Sequence, residues 1–351
     1  MVSNRALGAL PFLLIPPFMA YIFSFAPIIT IAFESMLEDG QFSLNGVKAP
    51  LMKTFYGIGI LDETLSRVCV GFAQLLLFPA DPKGYWQLFL FLTEFAGLYG
   101  IFILESCRGA HRRSILLFPF LIAFFGQFMT VGILSPIYFF TLYVKSPLSK
   151  LNTPTARSIP ASDAVAVLPT VALAYYSSQL PSHFHPEYEA RLWYTWVWQI
   201  YPVWGSAIFF VLSKTLGPTL GPKQTMGVLK PTFAFFIVLN VASYWYTLLA
   251  SGISFFDIMI PIYFIEAPPS AQEVLRTIVQ YDYIFTFGAM TLWLAYSFCD
   301  LKAAGIMKTS WITIVVVAIV TSCSAGLGTT VLLGWLWREQ LLSTQGGRKT
   351  K

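Results

Sequence analysis

Residues 86–104 read WQLFLFLTEFAGLYGIFIL, nineteen residues that carry one charge, Glu94. At about 1.5 Å per residue a helix of this length matches the hydrocarbon core of a bilayer, about 30 Å thick. A carboxyl group at membrane depth is expensive, and chains that keep one there generally use it. Glu105 follows three helical turns later, so both carboxyl groups fall on nearly the same face of one helix. That pairing points to acid chemistry or proton movement inside a membrane. The alternative makes one acid a helix–helix hydrogen-bond partner and leaves the other at the headgroups.

Composition agrees with a membrane chain. Of 351 residues, 56% are apolar and 17% aromatic, but only 11% are charged, against about 25% charged in an ordinary soluble domain. The net charge of +5 does not indicate nucleic acid, because the Lys and Arg residues sit in short connections and at the C-terminus, as membrane proteins place them. Cys69, Cys107, Cys299 and Cys323 are far apart and form no CxxC pair. They read as small apolar fillers, without a disulfide framework or a zinc site.

The chain is therefore expected to be all-α, a polytopic membrane helix bundle forming a single integral-membrane domain over 1–351. About eight transmembrane helices are expected, at 7–33, 86–104, 114–143, 163–180, 193–212, 231–251, 281–298 and 310–336. The first contains Pro11, Pro16, Pro17 and Pro27, which kink or break it. It reads as a span and not as a cleaved leader. Residues 34–85 are expected to be a loop with an interfacial or re-entrant segment, because Phe55–Phe78 is apolar yet holds Asp62, Glu63 and Arg67. Ile253–Ile265 is too short to span, contains Asp257, and is read in the same way. No repeat or pair of related halves is visible.

The basic loop Arg108-Gly109-Ala110-His111-Arg112-Arg113 lies on the same side as both termini. Residues 338–351 form a basic tail ending Arg348-Lys349-Thr350-Lys351. That ending resembles a dilysine retrieval tail, which is read from the cytosol. Both termini are accordingly expected in the cytosol, with the protein in the endoplasmic-reticulum membrane. An ordinary basic terminus is the alternative.

Few polar residues other than the two glutamates lie at membrane depth. Gln127 sits in the third expected span and Asn240 in the sixth. Asp282 opens the seventh, where it is also an N-cap candidate. The stretch from Trp193 to Pro202 is rich in aromatic residues. Trp193, Trp196, Gln199 and Tyr201 recur there at near-helical spacing, with Trp198 and Trp204 on other faces. Interfacial belts use Trp and Tyr, but an aromatic wall also attracts a cation, by about 0.5–2 kcal/mol per ring. Belt and pocket both remain open. His183, His185 and Glu187 lack a third clear ligand spacing, so no metal site is expected.

The sequence has no Asp-rich NDxxD or DDxxD motif for magnesium and diphosphate, no GxxxxGK[ST], no GxGxxG after a strand and no GxSxG. Acids and aromatics without phosphate, metal or cofactor apparatus suit one reaction type. Protonating an epoxide or alkene of a polyprenyl chain makes a carbocation, which neighbouring double bonds then close into rings. This needs a placed acid, aromatic walls and a dry pocket. No cofactor is expected.

The multi-span layout, the run Glu105-Ser106-Cys107-Arg108-Gly109 and the stretch from Arg191-Leu192-Trp193 to Gln199-Ile200-Tyr201-Pro202 carry a resemblance. The chain resembles the fungal integral-membrane terpene cyclases of meroterpenoid biosynthesis, of the ascofuranone/ascochlorin type. The resemblance implies cyclisation of an epoxidised farnesyl or geranylgeranyl tail on an aromatic head, within the lipid bilayer and without a nucleic-acid partner. It transfers no catalytic residue position by position.

Catalytic roles are expected of Glu94 and Glu105. Glu94, among Phe91, Leu92, Phe95 and Leu98, has the apolar surroundings of a proton donor, so Glu94→Gln is expected to stop turnover. Glu105, near Arg108, is expected to stay ionised as an ion-pair partner or a binder of the substrate head. Trp193, Trp196, Gln199, Tyr201, Gln127, Arg108 and Asp282 are the candidates for contacting substrate or cation. The competing class is a proton-coupled transporter of a small hydrophobic metabolite, in which the same acids would form a relay.

Overall fold

The computed structural model describes residues 2–111, 114, 118–216 and 225–344. Arg112, Arg113 and the tail from 345 onward, on which the readings of location and orientation rested, lie outside the described residues.

The chain begins with three helices, α1 (Val2–Gly8), α2 (Pro11–Phe23) and α3 (Ala26–Asp39). A hairpin of β1 (Gln41–Leu44) and β2 (Val47–Pro50) follows, antiparallel with Leu44 opposite Val47. Asn45 and Gly46 turn it with φ of 48° and 82°, the positive angles a two-residue turn requires. Next come α4 (Gly59–Leu76) and α5 (Pro82–Cys107). Two shorter apolar helices, α6 (Pro119–Met129) and α7 (Val131–Lys145), lie on either side of Thr130.

A composite rod then runs through α8 (Pro154–Arg157), α9 (Ala161–Val171), a π-helical turn at Ala172–Tyr176, and α10 (Ser177–Phe184). It is followed by α11 (Tyr188–Gln199) and α12 (Tyr201–Thr215), then α13 (Thr225–Ser251) and α14 (Phe255–Met259). The last two helices are α15 (Ala271–Ala303) and α16 (Trp311–Thr344).

Five helices are long and apolar enough to cross a membrane: α5, the rod Pro154–Phe184, α13, α15 and α16. Two bent pairs, α2 with α3 at 42° and α11 with α12 at 61°, bring the number to seven if each counts as one span. The fold is an all-α bundle integral to a membrane. The expected span at 114–143 is broken, because Thr130 takes φ 68° between α6 and α7. The expected loop at 34–85 holds the hairpin and an eighteen-residue helix, α4. Of the doubtful stretch Ile253–Ile265, only Phe255–Met259 is helical.

The centre of the bundle is α5, buried at every residue from Gly84 to Glu105. A helix that is apolar on all sides can satisfy itself only by such enclosure. Its start is fixed locally, with Pro82 in the first turn and the Asp81 carboxylate accepting the Gly84 N–H at 3.1 Å. Arg276 of α15 and Gln74 of α4 hold the same carboxylate, at 3.0 and 2.9 Å. One cap thus ties α4, α5 and α15 together.

Candidate functional site

A cavity of about 320 Å³ lies between α3, α4, α5, α6 and α15. Its wall is mostly aliphatic and aromatic, with Phe72, Phe91, Phe95, Phe128 and Trp198 among the rings. The polar groups on it are few: Thr30 and Arg67 at the exposed rim, and Gln127, Thr130 and Asp282 further in. Such a lining, apolar with a few placed polar groups, is the usual form of a small-molecule site.

Asp282 does not begin a helix. It lies eleven residues inside α15, and it caps a different helix. Its Oδ1 accepts the backbone N–H of Gly132, in the first turn of α7, and the Thr286 hydroxyl at 3.4 Å. A carboxyl group at a helix N-terminus meets free amides and the positive end of the helix dipole. Gly132 makes this approach possible, since a Cβ there would stand 3.0 Å from both Cα and Oδ1 of Asp282.

Glu94 lies elsewhere. Its Oε2 accepts the Tyr283 hydroxyl at 2.8 Å and the Gly328 N–H at 3.1 Å, while Oε1 is buried without a partner. Gly328 restarts α16 after a break at Gly326, where φ is 85° and ψ 162°. A Cβ at Gly326 would fall on Glu94 Oε1. One at Gly328 would stand 2.6 Å from Glu94 Cβ and 2.9 Å from Asn240 Nδ2. Glu94 therefore fills the gap in a broken helix. Its neighbours Phe91, Leu92 and Phe95 line the cavity, but Glu94 does not.

Glu105 is the centre of a buried ionic cluster. Arg108 donates to it through Nη2 at 2.7 Å and Nε at 2.8 Å, Arg338 at 3.2 Å and the Trp335 indole at 2.9 Å. Glu339 bridges the two arginines at 2.6 and 2.7 Å. Two carboxylates and two guanidinium groups cancel, which is the condition for burying such charges. Burial works against the Arg108 cation, but Glu105 and Glu339 outweigh it and hold its pKa above the usual value. His111, beside the cluster, has its pKa lowered to about 4, first by burial and then by the positive charge of Arg108 and Arg338, with Glu105 acting in the opposite direction. Glu105 and Arg108 join α5 to the C-terminal half of α16 and stand apart from the cavity.

The aromatic stretch divides differently from its helical spacing. Trp193 is 46% exposed. Trp196 stacks on Phe55 with ring centroids 5.6 Å apart, under the chain that leads into α4. Gln199 is buried, and Tyr201 packs against Tyr99 and Tyr175 at 5.0 and 4.8 Å. None of these four lines the cavity, whereas Trp198 does. Trp193, Trp196 and Gln199 all belong to α11, and the 61° bend that follows separates Tyr201, on α12, from them. Among the expected site residues, the structure brings Gln127 and Asp282 together at the cavity. Arg67 and Trp198 were not among those expected.

A family model described as the CtvD domain matches residues 29–343. FAD-dependent monooxygenase verC1 of Penicillium polonicum is 26% identical over 315 residues, covering 87% of this chain and 39% of that protein. FAD-dependent monooxygenase anuJ of Penicillium roqueforti is 27% identical over 302 residues, covering 84% of this chain and 36% of that protein. The chain spans under two fifths of the length of these relatives. No solved structure matches the chain.

The described residues do not fit a flavin dinucleotide. Such a cofactor needs a Gly-rich turn from a parallel strand into a helix to hold its pyrophosphate, and the described strands form one antiparallel hairpin. The cavity wall adds a single arginine.

Proposed function

The chain belongs to the CtvD-domain family, and from this premise we propose that it is a membrane-bound terpene cyclase of fungal secondary metabolism. Its substrate is a prenylated, aromatic meroterpenoid precursor whose epoxide or alkene is protonated and then cyclised. The flavin chemistry in its relatives' names is not carried over, because the described residues do not fit that cofactor and the chain matches only part of those proteins.

The observation that carries this reading is a single carboxyl group, Asp282, on the wall of an otherwise apolar and aromatic cavity inside the bundle. On this reading Asp282 gives its proton to the epoxide oxygen. The carbon–oxygen bond breaks toward the more substituted carbon, and the electrons of the next double bond close a ring. The last cation loses a proton to the Asp282 carboxylate, which restores the acid, so the product is an isomer of the substrate. Hydrogen bonds from Gly132 and Thr286 fix the carboxyl group for both steps. Phe91, Phe95, Phe128 and Trp198 present ring faces or edges to the migrating charge, and the apolar wall keeps water from quenching it. Gln127, on the same wall, orients the oxygen freed by ring opening on this reading. The donor role expected of Glu94 passes to Asp282, because a proton donor must reach its acceptor.

The test uses microsomes carrying the protein, an epoxyfarnesyl phenol, and liquid chromatography–mass spectrometry. The expected result is an isomer of unchanged mass at a new retention time, absent with Asp282→Asn. Absence of any isomer across farnesyl and geranylgeranyl epoxides would reject the reading.

A further inference from the structure

We propose that Arg67 selects the substrate's head group and requires it to carry an acidic oxygen, such as an enolate or phenolate. The proposal rests on the cyclase reading for the nature of the tail. Two charged side chains stand on the cavity wall, Asp282 within and Arg67 at the rim. Arg67 also lines a shallower space of about 520 Å³ that holds Glu34, Glu38, Lys53, Asp62 and Glu63. No other residue is common to the two spaces, so Arg67 stands between an acidic outer space and the apolar cavity, and with Lys53 it is one of two cations among the carboxylates Glu34, Glu38, Asp62 and Glu63.

The donors of Arg67 are largely uncommitted. Its one hydrogen bond among the described residues runs from Nη2 to Glu63 at 3.3 Å, between side chains 57% and 70% exposed. An exposed i,i+4 pair of that length holds weakly, and a guanidinium group has five N–H donors. Asp62 does not compete, because its carboxylate already accepts the amides of Tyr56 and Gly57 at 2.9 and 2.8 Å. A planar fork of free donors at the mouth of an apolar cavity matches an oxygen anion or a pair of oxygens on one ring. A head held there leaves the apolar tail inside, with its far end toward Asp282.

The test compares wild type, Arg67→Ala, Arg67→Lys and Glu63→Gln on two epoxyfarnesyl probes: one with an acidic enol head, the other its O-methyl ether. Arg67→Ala is expected to raise KM for the enol probe by about 10–100-fold, the worth of a charge-assisted hydrogen bond, with kcat unchanged. The ether should be indifferent to the substitution. Lysine should recover part of the loss, and Glu63→Gln should lower KM. An unchanged KM for the enol probe, or an equal rise for the ether, would overturn the proposal. If wild type converts neither probe, the cyclase reading fails separately. Arg67 is then judged by equilibrium binding of the unepoxidised enol compound: selective loss in Arg67→Ala sustains its role, and equal binding ends it.

Discussion

Tyr283 donates its hydroxyl to Glu94 at 2.8 Å, while Asp282, the residue before it on α15, lines the cavity. Adjacent residues of one helix thus belong to the surroundings of two separate carboxyl groups, one in the break of α16 and one on the cavity wall. Asp282→Asn keeps an acceptor oxygen for Gly132 but cannot give up a proton. It is expected to lower turnover by about 10²–10⁴-fold, with wild-type yield and elution in detergent. Glu94→Gln keeps an acceptor for Tyr283 and Gly328 and should retain most of its turnover. Rates of isomer formation decide between them: an active Asp282→Asn beside a dead Glu94→Gln would return the donor role to Glu94.

The break in α16 gives a prediction about stability. Gly326 holds a φ and ψ open in practice only to glycine, and Gly328 leaves room for Glu94 and Asn240. Gly326→Ala is expected to cost about 1–3 kcal/mol through backbone strain, in addition to its clash with Glu94. Gly328→Ala should cost about 1–3 kcal/mol through overpacking. Melting of the purified protein in detergent measures both. An unshifted Tm for Gly326→Ala would mean that the break does not depend on its glycine.

The ionic cluster predicts a dependence on intact pairs. Glu105→Gln leaves Arg108 and Arg338 with Glu339 as their shared carboxylate, and removing one partner of a buried pair costs about 3–5 kcal/mol. Expression and Tm should fall together, while turnover per folded molecule holds, because no member of the cluster lines the cavity. A folded Glu105→Gln protein with no turnover would instead place Glu105 in the chemistry.

The bundle and the span at 86–104 were legible in the sequence because long apolar runs have few other solutions, but that this span lies at the centre was not. The pairing of Glu105 with Arg108 was also legible, being local at i,i+3. The hairpin escaped a reading tuned to spans, although Asn45-Gly46 is a strong turn signal. The cavity was not legible. Whether Glu94 or Asp282 reaches it depends on how α5, α7 and α15 are rotated against one another, and no single helix records that. Trp198 was read on a different face from Trp193, Trp196 and Gln199, and it is that face of α11 that meets the cavity; which face would do so is likewise a matter of packing. Arg67 read as a mark against a span, when its place at the mouth follows from the packing of α4 on α3.

His111 makes stability depend on pH in a calculable direction. It lies beyond the end of α5, with Nδ1 donating to the Glu105 carbonyl at 2.8 Å and Nε2 against the Ser146 hydroxyl. Its folded pKa of about 4 is below the ordinary value of 6.5. Between those values the unfolded chain binds more protons than the folded one, so stability increases with pH. The contribution is complete above about 6.5 and is lost as pH falls toward 4. Melting curves collected from pH 7.5 down to 4.5 should therefore show Tm falling most steeply below pH 6.5. His111→Asn, which has no proton to take up, should flatten that part of the profile while lowering Tm at neutral pH through the lost contacts. Parallel profiles for the two proteins would show that another group governs the acid transition.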